Sequence, residues 1–382
     1  MLRIVSIETP RALAQHQANW DDLANQSVDP NVFYHSRIFL PAWETLGRDV
    51  ELHVVLAYAP TAGGGEQMVG FFPFEIARID GLFMRGVRLW KHAQCFHCAP
   101  LVRIDFATHV LKAIFQWLRA MPRRPKVLEA LSFPGDGPLF AALAETLQSE
   151  RRPWFARSMD SRAVLHPQGN SEAYFARHFS KSRRKKVRRS ESRLANRGRV
   201  EFVAVDAAVD IDRFIDDFLR MESSGWKGAE GSALACNPTH RAFFVAAVQS
   251  AHAAGMLCAR SLCLDGVPIA MICDFRLGDV IFGYKVAHNE AYADDAPGVV
   301  LEVENVRRII DDRLASRADS CSAPGATLLK SLWNDSRLMV DLVIGIGRAP
   351  GDLAVSLLPL LRWAKRLVRP APSPVVDESA PD

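Results

Sequence analysis

The stretch LCARSLCLDGVPIAMICDFRLGDVIFGYKVAHNEAYADDAPGVVL, residues 257–301, decides how the chain folds. It contains three runs of strand length, LCARSLCLD, VPIAMICDFRLG and DVIFGYKVAH, rich in apolar residues. The first two meet at Asp265-Gly266, a dipeptide that accepts the positive φ angles of a two-residue hairpin, and the next two meet at the tight turn Leu277-Gly278-Asp279. An antiparallel meander is predicted. After a polar loop, Pro297-Gly298 opens a helix, since proline fits a first turn where its missing N–H costs nothing. A helix start carries unbonded backbone N–H groups and a partial positive charge, which suits a polyphosphate, and Gly298 lets such a ligand approach the backbone. The ordinary alternative is a capped structural helix.

Upstream, VEFVAV (200–205) predicts a strand, while DIDRFIDDFLRMESS (210–224) and HRAFFVAAVQSAHAAG (240–255) predict helices. Ser171 to Gly198 predicts two successive helices, with Val187 and Leu194 marking the narrow apolar stripe of the second. Nearer the start, Trp20 and Leu23 share one side of a helix, and NVFYHSRIFLPAW (31–43) places aromatics at helical intervals. ELHVVLAYA and MVGFFPFEIARI, separated by TAGGGEQ, predict a hairpin; 107–120 predicts an amphipathic helix and 126–132 a short strand. Proline and glycine become frequent around 134–170, where the domain joint is expected. The predicted organisation is two domains, 1–165 and 166–350, then an amphipathic basic segment, 351–370, and a disordered tail, 371–382.

Composition narrows the function. Of 382 residues 49% are hydrophobic, enough for two compact cores, yet no run approaches the roughly 20 apolar residues of a spanning helix. The N-terminus lacks the apolar core of a secretory signal, which predicts a cytoplasmic compartment. Seven cysteines, an odd number lying partly in apolar runs, predict reduced, buried thiols. His92, Cys95, His97 and Cys98 crowd four ligand types into seven residues without a separated second pair, so no metal site is predicted. The net charge of +4 is modest, but Arg177 to Arg199 holds eleven Lys or Arg and one Glu. Such a run is a solvated face or a phosphate-binding one, through CoA phosphates, an anionic membrane or tRNA.

Several motifs together resemble a known family: NVFYHSRIFLPAW and GFFPFEIARIDGLFMRGVRLW in the first half, then HFSKSRRKKVRRSESRLANRGRVEF, SSGWK, LDGVPIA, the meander with Tyr284-Lys285, and APGVVL. The chain resembles the cellulose-biosynthesis (CelD-type) acetyltransferases, a branch of the GNAT superfamily related to the FemABX peptidyltransferases. The resemblance implies an α/β (α+β) fold of two tandem GNAT-like domains, with mixed, mainly antiparallel central sheets flanked by helices. It further implies that the second domain holds acyl-CoA, with pantetheine along the splayed strand DVIFGYKVAH and pyrophosphate on the turn Ala296, Pro297, Gly298, Val299, Val300 and Leu301. Lys330 is counted with this donor site. The sequence departs from the family pattern at Asn289, Ala296 and the segment Asp319 to Lys330, which bears on the acceptor more than on the fold.

Amine acylation needs a base, an oxyanion donor and an acid for the leaving thiolate. His288 is the candidate base and Lys285 the candidate oxyanion stabiliser, the alternatives being an exposed loop histidine and an edge-strand lysine. Tyr292 is the candidate acid. Trp226, Lys227, Asp274 and Tyr284 are candidates for binding the acceptor amine. The expected activity is N-acyl transfer from acyl-CoA to an amino sugar, lipid amine or envelope precursor. A FemX-like transferase using aminoacyl-tRNA and a catalytically degenerate binding module are the alternatives. Residues 177–199 and 353–369, where leucines and Trp363 accompany basic residues, suggest peripheral contact with an anionic membrane, against the alternative of a terminal helix docked on the core.

Overall fold

The structure is a computed structural model and describes residues 2–122, 125–206, 209–323 and 327–368. Its strands are β1 (Arg3–Ile7), β2 (Leu52–Pro60), β3 (Glu66–Ile79), β4 (Met84–Leu89), β5 (Leu101–Val102), β6 (Val127–Pro134), β7 (Trp154–Leu165), β8 (Val200–Ala204), β9 (Leu257–Leu264), β10 (Val267–Leu277), β11 (Val280–His288), β12 (Arg317–Asp319) and β13 (Asp335–Gly345). They form one sheet in the order β1-β2-β3-β4-β6-β13-β7-β12-β11-β10-β9-β8, with β5 on β3. Helices flank it, and the fold is a mixed, mainly antiparallel α/β architecture.

Two pairs in this order are parallel, β4 with β6 and β11 with β12. Each is joined by a helical crossover, through Ala107–Ala120 in the first half and Pro297–Asp311 in the second. Each parallel pair ends a run of antiparallel strands, β1 to β4 on one side and β8 to β11 on the other. The order therefore reads alike from both edges, which is the tandem repeat that the sequence conceals. A glycine allows close approach at each parallel pair, just before the β4–β6 pairing and just after the β11–β12 pairing. A Cβ on Gly86 would lie 2.6 Å from the Val127 carbonyl oxygen, and one on Gly283 2.6 Å from that of Ser320. Only a residue without a side chain allows either approach.

Between the halves lie β13 and β7. β13 pairs with β6 from Gly345↔Val127 to Met339↔Pro134 and with β7 from Asp335↔Val164 to Ile344↔Trp154. A strand from residues 335–345 thus completes the sheet of the first half. The core is likewise continuous: Trp20, Phe33, Phe39, Phe71 and Trp90 share one cluster with Phe218, Phe243, Phe244, Phe275, Phe282 and Tyr284. Helix Pro238–Ala253 packs directly on helix Ser36–Thr45.

The local readings correspond to the observed elements in most places. Two helices occupy Ser171–His178 and Lys181–Arg197, with Val187 and Leu194 buried. Asp265 and Gly266 both have positive φ, 48° and 79°. All seven cysteines are unpaired; Cys236 is exposed, and Cys95 and Cys98 are buried with their sulfurs 3.7 Å apart. Gly325, Arg369 and the 371–382 tail lie outside the described residues.

Candidate functional site

β11 and β12 stay paired for only three residues, Val280↔Arg317, Ile281↔Ala318 and Phe282↔Asp319. Beyond Phe282 the strands part, and β11 keeps β10 as its partner on the other side, through Cys273↔Lys285 to Ala270↔His288. Among the described residues, one backbone edge of β11 is therefore without a strand partner beyond Phe282. Lys227 uses part of it, donating from Nζ to the Val286 carbonyl at 3.2 Å.

At the end of this strand lies a cleft of about 200 Å³, lined by Glu222, Trp226, Lys227, Val286, His288 and Glu290 among others. Glu222 is nearly buried on the apolar side of helix Ile211–Ser224, because it follows Phe218 by four residues and Leu219 by three. Its carboxylate is fully used: Oε1 accepts from Lys227 Nζ at 3.1 Å and Oε2 from the Leu234 N–H at 2.9 Å. Across the cleft, Glu290 Oε1 accepts from the Trp226 N–H at 2.6 Å, while the Trp226 ring is exposed.

Lys285 lies beside this cleft with its Nζ 5.5 Å from the ring centres of both Phe96 and Tyr284. Burial lowers its pKa to about 8; Glu222 opposes the shift and Lys227 reinforces it. Tyr284 is buried, donating to Gln94 Oε1 at 3.3 Å, and burial pushes its phenol well above the ordinary range. Behind the strand, Asp274 sits at an irregularity of β10 and accepts from the Tyr284 N–H at 3.1 Å. Burial raises Asp274 to about 7, against the pull of that N–H, Arg260 and Asn305. Burial also raises Glu302 to about 8, with Asp274 adding to the shift, although Trp333 Nε1 donates to Glu302 at 2.9 Å.

The helix Pro297–Asp311 begins against the same place. Ala296 precedes it in a left-handed conformation, φ 47°, and its carbonyl accepts from both Val299 and Val300 N–H. That leaves the Gly298 N–H without a partner among the described residues. A Cβ on Gly298 would stand 3.7 Å from His288 Nδ1, so strand end and helix start are adjacent. Val300 and Leu301 turn their side chains into the core, so only their backbone is available to a ligand.

Of the sequence candidates, the fold gathers Trp226, Lys227 and His288 at one cleft, with Lys285 beside it and Gly298 at its end. Tyr284 and Asp274 are buried just behind. Tyr292 does not line the cleft: its ring packs on the cluster of Leu194, Val300 and Leu301 beneath the helix start, with the Arg197 guanidinium 5.5 Å away. Lys330 is exposed on helix Thr327–Leu332, which packs on β7. Sequence reasoning missed Glu222, Glu290, Gln94 and Phe96. Glu222 had a signal, an acid on the apolar stripe of an amphipathic helix. Gln94 and Phe96 had none, because they come from the other half of the chain. Their neighbours His97 and Asp29 form a buried pair, Nε2 to Oδ1 3.3 Å, which Arg337 joins at 2.9 Å.

The basic helix Lys181–Arg197 reaches the same region at its C-terminal end. Arg193 donates to the Asp294 carbonyl at 2.9 Å, and Arg197 pairs with Asp295 at 2.8 Å, both in the loop before Ala296. Residues 181–320, which contain this helix, the cleft and the helix start, match the family model of the acetyltransferase (GNAT) domain. Over those residues the second half is similar to GNAT acetyltransferase domains. No curated protein matches the sequence. Among solved structures, FemX is similar at 8% identity, covering 90% of this chain and 96% of that one, with a TM-score of 0.58. A conserved protein of unknown function from Bacteroides thetaiotaomicron is similar at 12% identity over 90% and 100% of the two chains, TM-score 0.53. The C-terminal domain of a putative lysylphosphatidylglycerol synthetase from Agrobacterium fabrum is similar at 12% identity over 93% and 97%, TM-score 0.50. At these identities the likeness is one of fold, and it extends over both halves, well beyond the GNAT domain.

Proposed function

We propose that the protein is an N-acyltransferase of the cellulose-biosynthesis type, transferring an acyl group from acyl-CoA to an amine. The observation that carries this reading is the open edge of β11 leading directly to a helix start whose Gly298 N–H is unbonded. A pantetheine arm can add to such an edge by backbone hydrogen bonds, and a pyrophosphate suits such a helix start. The acceptor enters the cleft of Trp226, Lys227 and Glu290.

In this reading the amine nitrogen attacks the thioester carbonyl carbon and its proton passes to His288. Lys285, still largely protonated at neutral pH with a pKa near 8, stabilises the oxyanion. The C–S bond then breaks, and the thiolate takes that proton from His288 as CoA leaves. Glu222 holds Lys227 in place, and Asp274 fixes the β11 backbone behind Tyr284. Tyr292 and Lys330 have no part in this scheme. The domain organisation proposed with it is two GNAT-like units that share β13 and β7.

A second reading, transfer of an aminoacyl group from tRNA, is favoured by one observation: the helix Lys181–Arg197, whose C-terminal end reaches the loop before the helix start, turns a dense row of cations outward. A donor screen by mass spectrometry separates the two. Acylation of an amine by acyl-CoA supports the first reading, whereas turnover only with charged tRNA, abolished by ribonuclease, supports the second. No turnover with either donor would leave a binding module.

A further inference from the structure

The helix Gly351–Val368 touches the body along one side only. Val355 is buried and Leu358 half-buried, in a cluster with Ile79, Val127, Val343 and Phe155. On the outer side Leu353, Leu357, Leu360 and Leu361 are 61%, 41%, 61% and 60% exposed, and their spacing places them on a single helical stripe. Trp363 is 63% exposed beside them. No acidic residue occurs between Leu353 and Ala364.

A second element ends at the same place. The β3–β4 turn contributes Leu82 and Met84 to the cluster beneath the helix, while Phe83 at its tip is 81% exposed and held at φ 51°. A phenylalanine rarely adopts that backbone conformation. Just behind the tip Arg78 and Arg85 are exposed and directly opposite each other, a pairing that repels. Arg362 adds a further cation, reaching the Ala156 carbonyl at 3.4 Å, and the sequence continues with Lys365 and Arg366.

We propose that this surface docks on an anionic membrane, with the leucine stripe, Trp363 and Phe83 in the interfacial layer and Arg78, Arg85 and Arg362 at the headgroups. Bare leucines and a tryptophan opposite a cationic flank are the properties of a helix that lies in a membrane interface. No described helix is long and apolar enough to cross a membrane. A second copy of the chain is a poorer occupant, since a two-fold contact through this surface would set arginines against arginines. The proposal does not depend on the acyltransferase reading.

The test uses the full chain with vesicles of phosphatidylglycerol and phosphatidylcholine, against phosphatidylcholine alone. Wild-type protein co-sediments with the anionic vesicles at low salt, and its affinity falls at least tenfold in about 0.5 M salt. Phe83→Asp and the double variant Leu360→Asp/Leu361→Asp each lower that affinity at least tenfold with unchanged circular dichroism, because these side chains are exposed in the free protein. Absence of wild-type binding at low salt, equal binding to neutral vesicles, or undiminished binding by both variants overturns the proposal. So does a concentration-dependent dimer that the leucine variant dissolves, with no vesicle binding.

Discussion

His288 Nδ1 stands 3.7 Å from the position a Cβ would take on Gly298, so the end of β11 and the first turn of the crossover helix form one wall. A group bound at the helix start and a proton acceptor on the strand are thereby in reach of each other.

His288→Ala and Lys285→Met should each lower kcat by at least tenfold while changing the affinity for CoA less than threefold, since neither supplies the helix start. Steady-state kinetics with calorimetry of CoA binding checks this. Wild-type kcat at saturating substrate in both variants would move catalysis away from the strand end. Because Lys285 acts as a cation in this scheme, the wild-type rate should also fall as pH rises through about 8.

The carboxyls of Glu302 and Asp274 have folded pKa values near 8 and 7, above their unfolded values. Between roughly pH 4 and these values the folded state binds protons that the unfolded state has released. Their contribution to stability is therefore complete below about pH 4 and lost as pH rises through 7 to 8. Urea unfolding at intervals from pH 5 to 8.5 should show declining stability across that window, and Glu302→Gln should flatten the decline. An unchanged slope in the variant would mean that Glu302 is ionised in the folded protein throughout.

Lys227→Met leaves the nearly buried Glu222 carboxylate with only the Leu234 N–H as partner. That should cost about 1–3 kcal/mol, the range for a buried polar group losing its partner. Adding Glu222→Gln should restore part of the loss, because the neutral amide no longer needs the cation. Chemical denaturation of the two single variants and the double variant gives the coupling directly. Additive losses would show that the pair is not coupled.

β13 lies between β6 and β7, so the two halves should unfold together. Tryptophan fluorescence, far-UV circular dichroism and limited proteolysis should report one urea midpoint, and deletion of residues 335–345 should abolish the transition in both halves. Two separated midpoints would contradict this coupling.

The sheet of the second half is legible because its signals are local: Asp265-Gly266 and Leu277-Gly278-Asp279 fix two turns, and Pro297-Gly298 fixes a helix start. β7 and β13 are not legible in the same way. Arg157 and Arg162 in β7 and Arg337 in β13 break the apolar period, and each meets its acid far away in sequence, Glu129, Asp319 and Asp29 respectively. Charge inside a strand looks like loop until its partner is known. The same holds for the site. Trp226, Lys227 and His288 fall within recognisable motifs, whereas Gln94 and Phe96 reach Tyr284 and Lys285 only through the packing of one half on the other. Tyr292 shows the reverse case: its place in the loop before the helix start does not put its ring in the cleft, because the ring packs on the Leu194 cluster instead.

The most direct test of the donor site is a calorimetric titration of CoA into the wild-type protein, Gly298→Ala and Gly298→Asp. The methyl group has room at 3.7 Å, so Gly298→Ala should bind within about threefold of wild type. The aspartate sets a negative charge beside the pyrophosphate, and Gly298→Asp should bind at least tenfold more weakly, with a melting temperature no lower than that of the alanine variant by more than a few degrees. Equal CoA affinity in all three proteins, or no measurable CoA binding by the wild type, would contradict the assignment of the helix start as the acyl-donor site.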